Sequence, residues 1–233
     1  MSPKLLPLVA ALTLAGSAHA VTVNMTDFTF GSAVGARIDG SNGSPSYDGA
    51  AGAFTGTITD SPPSDALRSS LAAAAAATSF VAWCAELTQT FNFNTSYEYT
   101  PGDGVAYFGA QRANDLSRLF TAANTNHFVF DSAGSAAFQA GIWEIIYEQN
   151  PGYNFLTGTL KGSASDPANQ GAFNTVNSFL TNLGQYGAGY RIDVLTNGSQ
   201  QDFLVATIPE PETWALLVAG LGVIGLARRR RKA

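Results

Sequence analysis

A single cysteine is the most reactive side chain in this sequence of 233 residues. Cys84 has no second thiol in the chain for an intramolecular disulfide, and in an oxidising compartment a lone thiol can capture partners or be oxidised. One interpretation is that Cys84, between Trp83 and Ala85, only fills a small apolar site, as free cysteines commonly do. The other is that its sulfur has a chemical partner within the chain.

Two segments, "AWCAEL" and "AAFQAGIWEIIYE", together resemble the thioester domains of surface adhesins. Those domains carry an aromatic-Cys motif and, downstream, a Thr-Gln-x-Ala-Ile-Trp motif. Here the second motif is Phe138-Gln139-Ala140-Gly141-Ile142-Trp143, with Gln, Ile and Trp in register and with Phe and Gly in place of Thr and Ala. The resemblance implies that the Cys84 sulfur attacks the Gln139 carboxamide, releases ammonia and forms an internal thioester.

Such a bond places demands on the fold, because amides are poor electrophiles. Sulfur and carbon must be held in contact, the developing oxyanion must be stabilised, and water must then be kept out. We expect Trp83, Phe138 and Trp143 to form an apolar shelter for the bond. A partner amine would open the thioester once, so the expected protein is an adhesive or matrix-attached one and not an enzyme.

Two further groups of residues suggest other chemistry. Cys84 with His127 could form a cysteine hydrolase, but no protease signature surrounds Cys84, and we expect His127 at a solvated or hydrogen-bonded junction between loop and strand. Glu144 and Glu148 are four residues apart on a predicted helix and could be the paired carboxylates of a glycoside hydrolase. A solvated helix face is the interpretation that we prefer for them.

Metal and nucleic-acid binding receive little support. The segments "DGSNG" and "TPGDG" offer oxygen ligands for Ca²⁺, but turns are built from the same residues. No His or Cys spacing indicates a metal site, and we expect neither a metal nor a cofactor. Residues 21–208 carry six basic and fifteen acidic side chains, a formal charge of −9, so nucleic acid is not an expected partner.

The elements that must position Cys84 and Gln139 are predicted to be of mixed type. Alternating apolar and polar residues predict strands in "VTVNMTDFTF" and "AGAFTGTITD", with a loop in "DGSNGSPSYDG" between them. A further strand is predicted in "SFVAWCAELTQTFNFN", followed by a loop at "TPGDG". The last strands form a hairpin in "YRIDVLTNGSQQDFLVATI", because Asn-Gly is a strong hairpin signal.

Helical periodicity predicts the elements that lie between these strands. The predicted helices are "ALRSSLAAAAAA" after Pro62-Pro63, "AQRANDLSRLFTAA", "SAAFQAGIWEIIYEQN" and "GAFNTVNSFLTNLG", the last with Gly184 as its C-cap. The predicted fold class is therefore α+β. Strands from both ends of the body form a sheet or barrel, and the helices are inserted between them.

The first 20 residues have the pattern of a secretory signal peptide. Lys4 precedes an apolar run over residues 5–15 and the small-residue stretch "GSAHA". This order of charge, apolar run and small residues is typical of exported proteins. Cleavage after Ala20 would leave Val21 as the first residue of the exported body.

The last 25 residues have three ordered parts. Pro209-Glu210-Pro211 comes first, then the uncharged residues 214–227, and then the cations Arg228, Arg229, Arg230, Arg231 and Lys232. A helix of 14 residues spans about 21 Å against a hydrocarbon core of ~30 Å. We nevertheless expect a single transmembrane helix, because arginine side chains can snorkel at one end and Trp214 suits the interface at the other.

This order resembles the PEP-CTERM sorting tail of Gram-negative bacteria. The resemblance implies processing by an exosortase near Pro209-Glu210-Pro211, transfer through the envelope and, frequently, an association with exopolysaccharide. The expected organisation is a signal peptide (1–20), an exported α+β domain (21–208) and a sorting tail (209–233). The body would lie outside the inner membrane, with the cations in the cytoplasm, before it reaches the cell surface or matrix. A non-covalent exopolysaccharide-binding module with an inert Cys84 stays open as the alternative function.

Overall fold

The computed structural model describes residues 20–59, 79–150 and 152–208. These residues form an α+β structure with a closed six-stranded barrel, a second sheet of three strands, and helices. The predicted signal peptide up to residue 19, the helix predicted after Pro62-Pro63 and the sorting tail from residue 209 lie outside the described residues. Within the described ranges, no helix has the length and apolar character needed to cross a bilayer.

Nine strands are present in the described part of the chain. In chain order they are β1 (Val21–Phe28), β2 (Val34–Gly40), β3 (Tyr47–Ala51), β4 (Ala53–Ile58), β5 (Ser79–Cys84), β6 (Ser96–Asp103), β7 (Leu160–Ala164), β8 (Arg191–Thr196) and β9 (Phe203–Thr207). The barrel has the order β1-β4-β5-β9-β8-β6, with β6 returning to β1, and all its pairs are antiparallel. The prediction that strands from both ends of the body meet in one sheet or barrel is confirmed.

The barrel follows from apolar alternation along its strands. In β1 the side chains of Val21, Val23 and Met25 are buried, and the residues between them are partly exposed. Phe54 of β4 and Phe203 of β9 are both buried, and their ring centroids lie 6.0 Å apart. Closure gives every barrel strand two neighbours, so the barrel offers no free edge for pairing with other chains.

Strand pairing corrects two of the predicted loops. The second sheet has the order β3-β2-β7, so "DGSNGSPSYDG" is a loop only over residues 41–46 and is otherwise hairpin strand. The first four residues of the predicted loop "TPGDG" belong to the barrel strand β6, where Pro101 lies opposite Leu195 of β8. Tertiary pairing overrides the turn preference of these Gly- and Pro-containing segments.

Four α-helices lie in the described residues. They are α1 (Gly104–Phe108), α2 (Ala110–Thr125), α3 (Ser132–Tyr147) and α4 (Gln170–Thr181), with short 3₁₀ turns at Pro167–Asn169 and Leu183–Gln185. The last three α-helices match the predicted helices in these regions. The predicted C-cap at Gly184 is wrong: α4 ends with Asn182 as its cap, and Gly184 lies in the following 3₁₀ turn.

The helix α3 is the centre of the molecule. Every residue from Gly134 to Ile145 is buried, because α3 packs against α2, α4, β7 and the strands of the β2–β3 hairpin. A helix that is covered on all sides buries its polar side chains together with its apolar ones. Gln139 and Glu144 are therefore both withdrawn from solvent.

Candidate functional site

The structure brings Cys84 and Gln139 together. Cys84 is the last residue of β5, and the predicted strand beyond it is wrong, because residues 85–95 form a loop. Gln139 lies in the middle of α3 and has no exposed surface. Two segments that are 55 residues apart in the chain thus meet at the contact between the barrel strand β5 and the helix α3.

Two reciprocal hydrogen bonds join the pair. The backbone N–H of Cys84 donates to Oε1 of Gln139 at 2.8 Å, and Nε2 of Gln139 donates to the carbonyl oxygen of Cys84 at 2.9 Å. The last pair between β4 and β5 is Ala53 with Trp83, so β4 supplies no partner for Cys84. The Gln139 carboxamide therefore takes the place of the next peptide group, and its carbonyl carbon is held beside the residue that bears the thiol.

A further hydrogen bond joins α3 to β4, the strand beside Cys84. The hydroxyl of Ser135 accepts a hydrogen bond from the backbone N–H of Ala53 at 2.9 Å. Ser135 lies one turn before Gln139 on the same buried helix. The start of β4 and the end of β5 are both bonded to α3, which limits how far Gln139 can move relative to Cys84.

The surroundings of Cys84 keep its thiol protonated. Cys84 is 8% exposed, and burial raises the pKa of its thiol, with the negative charge of Glu86 adding to the effect. A protonated, buried thiol is a weak nucleophile towards outside reagents, because the thiolate is the reactive form. In this environment the sulfur is protected, and any reaction with Gln139 must dispose of the thiol proton.

The three predicted shelter residues are buried on two sides of the pair. The rings of Trp83 and Phe138 have centroids 4.9 Å apart, and Phe130 packs on both of them. Trp143 lies elsewhere, 5.2 Å from the ring of Tyr47. Trp83 and Phe138 form an apolar cluster between barrel and helix, and Trp143 belongs to the wall of a cavity beside Cys84.

This cavity, which we call the Cys84 cavity, has a volume of about 270 Å³. Its aromatic walls are Phe28, Tyr47, Phe54, Phe91, Phe93 and Trp143. Cys84 and Glu86 both line it, and Glu86 is the only Asp, Glu, Lys or Arg among the described residues of its lining. Sequence reasoning missed Glu86, although residues two apart in an extended chain face the same side, and Cys84 and Glu86 have that spacing.

The predicted carboxylate pair does not lie on a solvated helix face. Glu144 has no exposed surface and Glu148 is 4% exposed, so that interpretation is wrong. The segment that follows α3 covers both side chains. Oε1 of Glu144 accepts from the backbone N–H of Asn154 at 2.7 Å, while Glu148 accepts from five donors on this segment, which are the N–H groups of Gln149, Asn150, Thr159 and Leu160 and the Thr159 hydroxyl.

These contacts give the two carboxyl groups opposite ionisation. Burial raises the pKa of Glu144 to about 8. The hydrogen bond from the Asn154 N–H lowers it in part, and the negative charge of Glu148 raises it further. Burial acts on Glu148 in the same direction, but its donors outweigh it and its pKa is lowered. Glu148 is thus a structural anion that holds the segment after α3, and its hydrogen-bonding capacity is largely occupied.

His127 and the two Asp/Gly segments have structural positions. His127 is exposed at the end of α2 with φ of 49°, and no hydrogen bond in the described structure connects it to Cys84. Asp103 of "TPGDG" caps α1 by accepting from the N–H groups of Val105 and Ala106. The part of the chain that the structure describes contains no cluster of three His, Cys, Asp or Glu residues suited to a metal ion.

A second, larger cleft of about 940 Å³ lies between the start of α2, the segment after α3 and the end of α4. Its carboxylate Asp115 is already engaged, because it accepts from Gln111 and Tyr153 and pairs with Arg118 at 3.6 Å. The donors of Arg112 are less engaged, because Arg112 makes one long hydrogen bond of 3.5 Å among the described residues. The cleft therefore suits a ligand that is rich in acceptor oxygens.

Comparison with known proteins identifies the end of the chain. Residues 207–232 match the family model of the PEP-CTERM protein-sorting motif, which begins at the last residue of β9. Comparison with curated proteins and with solved structures gives no match. The chain thus carries the PEP-CTERM sorting motif, which implies processing by an exosortase and membrane-linked sorting of an exported protein to the cell surface.

Proposed function

We propose that this exported protein attaches covalently to its surroundings through an internal thioester between Cys84 and Gln139. The observation that carries the proposal is the pair of reciprocal hydrogen bonds between the two residues, at 2.8 and 2.9 Å. The carboxamide is fully buried and is bonded to the backbone of the residue that carries the only thiol of the chain. Cys84 and Gln139, which the resemblance to thioester domains pairs, are hydrogen-bonded to each other.

The geometry supports bond formation at the oxygen on which negative charge develops. The sulfur attacks the carboxamide carbon of Gln139, and the oxygen that becomes negative is Oε1, which already accepts the Cys84 N–H. A donor in place before charge develops lowers the barrier. The C–N bond then breaks, the thiol proton goes to the departing nitrogen, and ammonia leaves. One thiol and one amide give one thioester and one ammonia, with no oxidant or reductant.

The finished bond would be a stored acyl donor that acts once. An amine on a surface or matrix partner would attack the acyl carbon, form an amide with residue 139 and regenerate the Cys84 thiol. The protein would therefore be consumed in use and is not proposed to be an enzyme. In this proposal residues 1–20 are a signal peptide, residues 21–208 the exported domain and residues 209–233 the tail, which holds an inner-membrane intermediate in a Gram-negative envelope.

The mass of the intact exported protein tests the thioester. Near neutral pH in amine-free buffer, we expect a mass about 17 Da below that of the unmodified chain, because ammonia has been lost. Cys84→Ala and Gln139→Ala should each remove the deficit, since either change removes one reacting atom. Gln185→Ala, at an exposed glutamine in a 3₁₀ turn, is the matched control and should keep it.

Trapping with methylamine gives a second reading of the same bond. The opened thioester should carry methylamide at residue 139, about 14 Da heavier than the original glutamine, on the tryptic peptide 119–161. The proposal would be abandoned if native protein had full mass and a Cys84 thiol that an alkylating reagent modified completely.

A second candidate function is non-covalent binding of an acidic polysaccharide, with Cys84 as an inert core residue. The observation that favours it is the cleft of about 940 Å³, in which Arg112 makes only one long hydrogen bond of 3.5 Å to the described residues. Arginine is well suited to planar recognition of carboxylates. This function does not require any reaction at Gln139.

The cleft can be tested with alginate, a polyuronate, and with dextran as a neutral polymer. Arg112→Gln should weaken alginate binding about tenfold or more, because a hydrogen bond to a charged group is lost. Arg37→Gln, at an exposed arginine that pairs with Asp48 at 3.4 Å on the second sheet, is the matched control. The cleft would be excluded as an acidic-sugar site if the wild type, Arg112→Gln and Arg37→Gln bound alginate equally. It would also be excluded if the wild type bound dextran as tightly as alginate.

A further inference from the structure

The Cys84 cavity combines two properties that point to one class of ligand. Six of its fourteen lining residues are aromatic, and its one charged lining residue in the described structure is the carboxylate Glu86. Aromatic faces attract cations and accept apolar chains, and a carboxylate among them completes a site for an ammonium group on an alkyl stem. An anion would be repelled by that carboxylate.

We propose that the Cys84 cavity admits the acceptor of the thioester as an unbranched alkylammonium group, and that Glu86 positions it and takes its proton. The inference rests on the proposed function, because it assigns the acceptor side of the same site. A cavity of about 270 Å³ is near the lower end of small-molecule sites, roughly 300 Å³, so it suits a single extended side chain.

Glu86 has the hydrogen-bonding capacity for this role. One carboxylate oxygen accepts from the backbone N–H of Asp202 at 3.1 Å, and the other accepts from the Thr88 hydroxyl at 3.3 Å. An ionised carboxylate can accept about four hydrogen bonds, so both oxygens retain a free lone pair. Glu86 is also partly exposed, which leaves it accessible to an incoming ammonium group.

Its environment also makes Glu86 a better base than an ordinary carboxylate. Burial raises the pKa of Glu86. The hydrogen bonds that Glu86 accepts from Asp202 and Thr88 lower its pKa in part, and the negative charge of Asp202 raises it. An ammonium ion is not a nucleophile, so it must lose a proton before it attacks. A carboxylate of raised pKa that contacts the ammonium shifts this proton transfer in the productive direction.

The acceptor step then balances. The ammonium group gives one proton to Glu86, and the neutral amine attacks the acyl carbon of residue 139. The C–S bond breaks, the amine gives a second proton to the Cys84 sulfur, and an amide and a thiol result. Glu86 releases its proton to solvent and takes no lasting part in the product.

The test compares two nucleophiles on the full exported chain. Cadaverine carries an alkylammonium stem, whereas hydroxylamine is uncharged near neutral pH and needs no ammonium recognition. Glu86→Gln should keep the mass deficit of about 17 Da but lose cadaverine incorporation about tenfold or more. Its reaction with hydroxylamine should stay within about twofold of the wild-type rate, which shows that the site is still folded and acylated.

Two further variants sharpen the test. Glu98→Gln, at an exposed position of β6, makes the same chemical change outside the cavity and should react like the wild type. Glu86→Asp keeps the charge on a shorter stem and should recover part of the cadaverine rate. A residue that only supported the fold would lower the rates with both nucleophiles equally, and that result would overturn the inference.

The failures of the two proposals are distinguishable. A wild-type protein without the mass deficit contradicts the thioester itself. A wild type with the deficit, together with Glu86→Gln that reacts with cadaverine at the wild-type rate, contradicts only the role of Glu86. Loss of the deficit in Glu86→Gln would assign the residue to bond formation and would also overturn the inference as stated.

Discussion

Glu144→Gln is expected to abolish a large loss of stability that the protein undergoes as the pH rises from about 5 to about 8. Glu144 has no exposed surface, and Oε2 has no hydrogen-bond partner in the described structure. Burial raises the pKa of Glu144 from an ordinary value of 4.5 to about 8. The folded protein therefore holds this side chain as a neutral acid at neutral pH.

The sign of the effect follows from proton linkage. Between pH 4.5 and 8 the unfolded chain has an ionised Glu144 while the folded protein keeps the proton, so the folded state binds more protons. Stability is then greatest below the unfolded pKa and is lost as the pH rises through the folded pKa. Over the whole window the cost is on the order of 5 kcal/mol, and above pH 8 it stays constant.

Denaturant unfolding at several pH values measures this cost. The difference in unfolding free energy between Glu144→Gln and the wild type should grow by about 1.4 kcal/mol for each pH unit between about 5 and 8. Glutamine has the shape of the protonated acid and can still accept the N–H of Asn154. A difference for Glu144→Gln that is the same at every pH would contradict the buried neutral acid.

The burial of the two glutamates was not predictable from their spacing. Positions 144 and 148 share a helix face at i and i+4, and this pattern says nothing about what covers the face. In the structure the segment after α3 folds back over it, and the donors to both carboxyl groups are mainly backbone N–H groups. Backbone donors leave no mark in the side-chain pattern of that segment.

The meeting of Cys84 and Gln139 was predictable in part. The motif around Gln139 predicts a partner for the thiol, and the helical period predicts that residue 139 lies on a helix. The reciprocal hydrogen bonds depend on the place where β4 stops pairing with β5, which is Ala53 opposite Trp83. Strand ends are set by tertiary packing, so this detail comes from the structure alone.

The barrel strands and the second sheet differ in how clearly the sequence marks them. The strand β1 alternates buried Val21, Val23 and Met25 with more polar residues, and this alternation predicts a half-buried strand. The strands β2 and β3 have the sequences "VGARIDG" and "YDGAA", with little apolar alternation. They are held by pairing with each other and, for β2, with β7. Because the sequence of this region is rich in turn-forming residues, it predicts a loop where the structure has strands.

At Glu148, one helical turn after Glu144, replacement by glutamine should lower the stability of the protein. Glu148→Gln is expected to destabilise the protein by about 3 kcal/mol or more at pH 7, because buried N–H groups lose a charged acceptor and face an amide. Glu148 is 4% exposed and accepts from Thr159 and Leu160 among others. Gly158, with φ of +98°, passes so close that a Cβ there would collide with the Glu148 carboxylate.

The pH dependence separates the two glutamates further. Because the folded pKa of Glu148 is lowered, its contribution is present above the unfolded pKa and is lost as the pH falls through the folded pKa. The difference in unfolding free energy between wild type and Glu148→Gln should therefore shrink in acid. Glu144→Gln, the matched variant on the same helix, should gain stability at pH 8 where Glu148→Gln loses it. Stability of Glu148→Gln within about 1 kcal/mol of the wild type at pH 7 would contradict the anion's role in holding the segment after α3.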